Sequence, residues 1–205
     1  SPDEGNIAGG TPITITGGNV LGVTDVTFGG VSGTGLTIVS PTELTVNTPA
    51  GSSGFVDVVL SGNGTDSLAS GFKFVNPGGF INVGFGLAGQ LGIVPFLLVN
   101  GDFAAGGAGF TMTTLALPAN TPGVMFLSFD EVALPFKGGT LYTFPIVTSF
   151  AIVSSAIGQV VLGPLALDAS IPGGTQFTLQ QLYADPAAVA GVSMTAAVRV
   201  TVGDS

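Results

Sequence analysis

The chain has 205 residues, of which 45% are hydrophobic and only 7% charged. Twelve acids against three bases (Lys73, Lys137 and Arg199) leave a net charge of −9, which excludes a nucleic-acid surface and disfavours an anionic membrane. The absence of cysteine and histidine excludes disulfides, thiolate metal sites, a cysteine nucleophile and a Ser-His-Asp triad.

The apolar content is high enough to offset the entropy of ordering the chain. The 34 glycines and 13 prolines then fit many short strands joined by tight turns. The chain opens at Ser1 without a signal peptide, as a processed secreted protein or a late-starting sequence would. From there, alternation and turn residues predict strands at Pro12–Thr16, Val23–Phe28, Leu36–Val39, Glu43–Thr48, Phe55–Leu60 and Ser70–Val75. In "LTVNT", Leu44 and Val46 face inward while Thr45 and Asn47 face out. The turns between these strands are rich in Gly, Ser, Asn and Pro, as in "TPAGSSG" (48–54) and "SGNGTD" (61–66).

Four stretches in this segment, "GGTPITITGGNV", "VTFGGVSG", "SPTELTVNTPAGSSGFVDVVL" and "GFKFV", together resemble an IPT/TIG domain. The resemblance covers about residues 7–75 and implies an immunoglobulin-like sandwich; Val20 stands where that family often carries Phe. "NPGGF" (76–80) reads as a short hinge, so the expected domains are 1–76 and 77–205.

In the second segment, Asn100-Gly101 predicts a two-residue hairpin turn. Strands are expected in 109–118 and 123–132, with a proline-containing turn between them, and then through "GGTLYTFPIV", "SFAIVSS", "GQVVLGPL", "TQFTLQQLYAD" and "SMTAAVRVTV". A turn of helix fits around Pro186–Ala190. Pro145–Leu167 is long enough to span a bilayer, but Gly158, Gln159, Gly163 and Pro164 interrupt it and no Lys or Arg flanks it closely. Two buried strands suit it better than a membrane helix. The expected fold class is all-β: two tandem antiparallel β-sandwiches, Ig-like IPT/TIG and then jelly-roll-like. "PFKGGTLY" (135–142) and "IPGGTQFTLQQLYADPAAVAGVSMTAAVRVTV" (171–202) resemble a C-terminal domain of secreted proteins of environmental bacteria. That resemblance implies an extracellular or cell-surface setting and no activity.

Catalytic chemistry is scarce. Lys73 lies between Phe72 and Phe74 and reads as a solvent-facing strand lysine. Lys137-Gly138-Gly139-Thr140 lacks the spacing of a phosphate loop. Asp130 and Glu131, read on a strand, point to opposite faces and so cannot converge on a glycosidic bond. Asp102, Asp168 and Asp185 sit near turns without the spacing of a calcium loop, and capping of those turns is the expectation. No catalytic, cofactor or metal site is expected. Asn63-Gly64-Thr65 is a glycosylation sequon, read first as an ordinary Asn-Gly turn. With no Trp in the chain, Tyr142 and Tyr183 are the candidates for stacking on a sugar.

A sandwich of this size exposes more surface than fifteen charges cover, and large exposed apolar patches mark interfaces. The expected function is therefore a non-catalytic subunit whose partners are copies of itself, assembled into an extracellular bacterial filament, fibril or surface layer. The competing reading is an adhesion or carbohydrate-binding module with glycans as partners. Edge strands offer strand addition between subunits. The expected donors are Ser1–Gly10 and Ser193–Val202, and Thr14 and Thr16 lie on an outer face that a neighbour could cover.

Overall fold

The computed structural model describes residues 1–188 and 190–205, and of residue 91 the backbone. Among these residues the regular structure is strand, apart from a single 3-10 turn at Gln90–Gly92. None of them forms a helix long and apolar enough to cross a membrane. The chain divides into two compact units, Ser1–Pro77 and Gly78–Ser205.

The first unit holds β1 (Glu4–Asn6), β2 (Pro12–Thr16), β3 (Val23–Phe28), β4 (Val31–Ser32), β5 (Thr34–Ser40), β6 (Glu43–Asn47), β7 (Gly54–Gly62) and β8 (Thr65–Val75). One sheet runs β1-β8-β7-β3-β4 and the other β2-β6-β5. All pairs are antiparallel except β1 with β8, which run parallel with Glu4 opposite Lys73. Alternation decides which side chains are buried: Ile13, Leu44 and Val46 from one sheet meet Val26, Phe28, Val58, Phe72 and Phe74 from the other. Phe72 stands edge-on to both Phe28 (5.4 Å) and Phe74 (5.1 Å), the geometry that aromatic quadrupoles favour. Gly29 and Gly30, at φ 59° and 86°, close the β3–β4 hairpin, where both central residues need positive φ. This is the immunoglobulin-like sandwich expected for the segment.

The second unit holds β9 (Gly79–Val83), β10 (Phe96–Gly101), β11 (Phe110–Leu115), β12 (Pro122–Ser128), β13 (Leu134–Phe136), β14 (Gly139–Leu141), β15 (Thr148–Val153), β16 (Val160–Leu165), β17 (Gln176–Ala184), β18 (Val192–Met194) and β19 (Ala197–Thr201). A β10-β11-β16 sheet packs against a β15-β12-β17-β19-β9 sheet, with β18 also on β17 and β13-β14 a separate hairpin. Leu97, Val99, Phe110, Met112 and Val160 from the first sheet share one core with Met125, Ile152, Phe177, Leu179, Tyr183, Val198 and Val200 from the second. The expected sandwich is thus built with three strands on one side and the longer sheet on the other.

β17 is the axis of this unit. Residues 177–181 are buried in succession, so both of its faces are covered. Gln181 Oε1 accepts from the Thr114 hydroxyl (2.6 Å) and from the Tyr183 hydroxyl, and the Gln181 N–H donates to Thr195 Oγ1 (3.1 Å). On the opposite face Gln180 Nε2 donates to the carbonyls of Thr140 (3.0 Å) and Thr195 (3.1 Å), and its Oε1 accepts the Tyr142 N–H (2.8 Å). Two buried amides therefore tie β17 to β11, β14 and the chain after β18.

Four expectations change here. Asn100-Gly101 is not a turn but the end of β10, opposite Thr111 and Phe110. The chain reverses over 102–109 instead, because the Asp102 carboxylate accepts the N–H groups of Ala104 and Ala108, both at 2.9 Å. Pro145–Leu167 does form two strands, but they are exposed edges of opposite sheets rather than buried. The expected strand donors are both used within their own units. Glu4–Asn6 pairs with β8 and Thr14 N–H donates to the Ser1 carbonyl (3.1 Å), while β19 lies between β17 and β9 with Val198 and Val200 fully buried. Of the helical turn expected around Pro186–Ala190, residue 189 lies outside the described residues; the rest form turns in which Ala188 N–H donates to the Asp185 carbonyl (2.9 Å).

Phe72→Ala removes the ring that joins both aromatic contacts of the first core. We expect the first unit to lose about 3–5 kcal/mol of unfolding free energy, measured from hydrogen exchange at its strand amides under denaturant.

Candidate functional site

A concavity of the first unit lies between the β2–β3 connection and the β7–β8 hairpin, with a volume of about 550 Å³. Glycines 17, 18, 22, 62 and 64 line it, together with Thr16, Asn19, Asn63, Thr65, Asp66 and Ser67. Gly62 is required there, since a Cβ on it would overlap the backbone carbonyl of Gly22. Asn19 Oδ1 accepts the Leu21 N–H (3.4 Å) and Asp66 Oδ1 the Ser67 N–H (2.9 Å), which leaves amide N–H donors and a carboxylate oxygen for a ligand. No basic side chain lines the cavity, so its chemistry suits a neutral, hydroxyl-rich molecule rather than an anion.

The sequon residue Asn63 is exposed at the tip of the β7–β8 hairpin and borders this cavity. Tyr142 is half-buried, its ring packed so closely on Gly84 that a Cβ there would overlap it. Tyr183 is fully buried, so stacking on a sugar is corrected to a core role. Burial pushes its phenol up to about 12, against a smaller lowering effect of the neighbouring Thr114 hydroxyl. The two tyrosines named as candidates for stacking are therefore unlike each other.

The acids serve as local ties. Asp102 is held below the ordinary carboxylate range by the Ala104 and then the Ala108 N–H, and Asp168 by the Ser170 hydroxyl and then its N–H. Asp185, almost wholly buried, accepts from the N–H of Gln90 (2.8 Å) and of Ala187 (3.3 Å). β12 ends at Ser128, so Asp130 and Glu131 lie beyond the strand and the opposite-face argument does not apply to them. Glu131 instead pairs with Arg199 at 3.2 Å. Lys73 is backed by buried Phe72 and Phe74, with its ammonium 6.0 Å from the Phe55 ring centroid. Lys137 and Gly138, both at positive φ, form the β13–β14 hairpin turn. Thr14 is half-covered where Ser1 pairs with it, and Thr16 is exposed.

The second unit also exposes much apolar surface. Phe85 is 87% exposed, Ile157 82% and Val153 63%. Phe129, Phe144, Ile146, Val147, Phe150 and Val161 are exposed as well. The β15–β16 part of this surface falls within residues 138–167, which contain no charged side chain.

The first unit can now be placed. Residues 1–75 match the IPT/TIG domain. The match ends with β8, so the glycine-lined cavity lies wholly within the IPT/TIG unit. No curated protein matches the chain. Among solved structures the chain is similar to SGBP-B of the mixed-linkage glucan utilization locus of Bacteroides ovatus, determined with a mixed-linkage heptasaccharide. The identity is 16% and the TM-score 0.26; the likeness covers 96% of this chain but 42% of the other, less than half its length.

The raised Tyr183 phenol gives a signed pH dependence. Between about pH 10 and 12 the unfolded chain releases a proton that the folded chain keeps, so stability falls as pH rises, by about 3 kcal/mol in full. We expect the Tyr183 phenolate absorbance to rise together with loss of circular dichroism, and Tyr183→Phe to remove that part of the alkaline decline.

Proposed function

We propose that the protein is a non-catalytic structural subunit, outside the cell, that assembles with copies of itself into a fibril, helical filament or surface layer. The observation that carries this reading is the uncharged apolar surface along β15 and β16, whose exposed Val153 and Val161 line one groove. Isolated apolar residues are normal on a soluble protein, but a contiguous exposed patch needs a partner. A copy of the same anionic chain can meet this surface with no like charges in direct contact, whereas a cationic partner would be drawn elsewhere. The extracellular setting is part of this same reading.

Association of this kind has a defined salt response. Screening weakens an interface built on ion pairs, but here it reduces repulsion between copies of net charge −9. We expect sedimentation equilibrium to show an average mass that rises with protein concentration and rises further with added salt. A 20.1 kDa monomer at every concentration and salt level overturns the reading.

The glycine-lined cavity of the IPT/TIG unit favours a second reading, a glycan-binding module. Its lining offers amide and hydroxyl groups beside one carboxylate and no base, which matches a neutral oligosaccharide. The Bacteroides ovatus protein was determined with such a ligand, so a mixed-linkage glucan oligosaccharide is the probe. We expect calorimetric binding that weakens at least tenfold in Asp66→Ala, and no binding by the unaltered chain overturns this second reading.

A further inference from the structure

The two units treat their sheet edges differently. In the first unit every edge is blunted. β1 has three residues and carries Glu4, and β4 has two. β2 begins at Pro12 and already pairs with Ser1 at Thr14. β5 is broken by register shifts at Thr34/Thr37 and Ile38/Ser40. Short length, charge, proline and irregularity are the devices that stop a sheet from recruiting another strand.

β15 has none of them. Its six residues, "TSFAIV", pair with β12 in unbroken register from Pro122 opposite Val153 to Leu127 opposite Thr148, and its other side pairs with no strand among the described residues. Beside it lies β16, the edge of the facing sheet, which is irregular at Phe110/Met112 and contains Pro164. A groove of about 400 Å³ runs between the two, lined by Ile152, Val153, Val160, Val161 and Leu162 among others. Phe150 lies opposite the buried Met125 in the β12 ladder, yet is itself 46% exposed. The three-stranded sheet stops short of it.

We infer that β15 is the contact strand of the assembly, and that its occupant is β15 of a second copy, paired antiparallel about a two-fold axis. This rests on the self-association reading above. Charge selects the occupant: the strand lies inside the uncharged stretch 138–167, so two anionic chains can approach there, whereas β10, an edge of equal length, ends next to Asp102, and β16, the third six-residue edge, is irregular. An antiparallel edge is also self-complementary, because each strand presents to the other the groups that it needs. Such pairing continues the longer sheet through both copies and places partner side chains over Phe150 and the groove.

Because the chain has no cysteine, single cysteines report this geometry directly. Cysteine is placed in turn at each of positions 148–153, and at Leu98 of β10, in the full chain under mild oxidation. Two-fold pairing predicts a covalent dimer whose yield peaks near one β15 position and falls on either side, with little at Leu98→Cys. A flat profile, or a stronger yield at Leu98→Cys, overturns the inference. Ala151→Glu with Val153→Glu sets like charges against each other across the axis, and we expect association to weaken at least tenfold with an unchanged unfolding midpoint. If the unaltered chain associates but the glutamates leave it intact, β15 is the wrong strand while self-association stands. If the unaltered chain never associates, both fail. Should the double variant lose its fold, the cysteine profile decides, since it changes single residues.

Discussion

The second unit depends on satisfying two adjacent amides inside a hydrophobic core. Gln180 and Gln181 point to opposite faces of β17, as neighbours on a strand must, and both are buried. An unpaired buried amide costs more than a typical hydrogen bond returns. β17 is therefore stable only when Thr114, Thr195, Tyr183 and the 140–142 segment are all in place. The β13–β14 hairpin is small and would be marginal alone. It stays because it supplies the Thr140 carbonyl and the Tyr142 N–H to Gln180. A wholly apolar β17 would bury as much surface without fixing which elements cover each face.

Charge scarcity and edge chemistry describe one property from two sides. The IPT/TIG unit has short, charged or irregular edge strands, and so limits what can pair with it. The second unit has a core held in register by polar bonds, yet an uncharged rim. Of its carboxylates, those of Asp102, Asp168 and Asp185 are engaged in turns and that of Glu131 with Arg199.

The first sandwich was largely legible in the sequence because its information is local. Ile13-Thr14-Ile15-Thr16 and Leu44-Thr45-Val46-Asn47 alternate with period two, and Gly29-Gly30 can close a tight hairpin. The second unit hid more. Asn100-Gly101 carries a turn signal, but the Asp102 side chain outcompetes it by capping a longer loop. The run 145–167 has no period, and composition alone cannot separate a buried strand from an exposed edge; which it becomes depends on where the facing sheet stops. Tyr183 could be named as an aromatic residue but not as a buried one, since its cover comes from β11 and Gln181. The cavity escaped notice because Thr16–Val23 and Gly62–Leu68 are remote in sequence, and no motif joins them. The Asn63-Gly64 turn was the one visible part of it.

The parallel pairing of β1 with β8 gives the first unit a mechanical character. These two strands begin and end the unit. Because they run parallel, tension applied at Ser1 and at Pro77 draws them past each other along their length. The bonds between Glu4–Asn6 and Lys73–Val75 are then loaded together in shear, rather than opened one by one from an end. A chain built into a fibre would meet a pulling force with the pairing best placed to bear it.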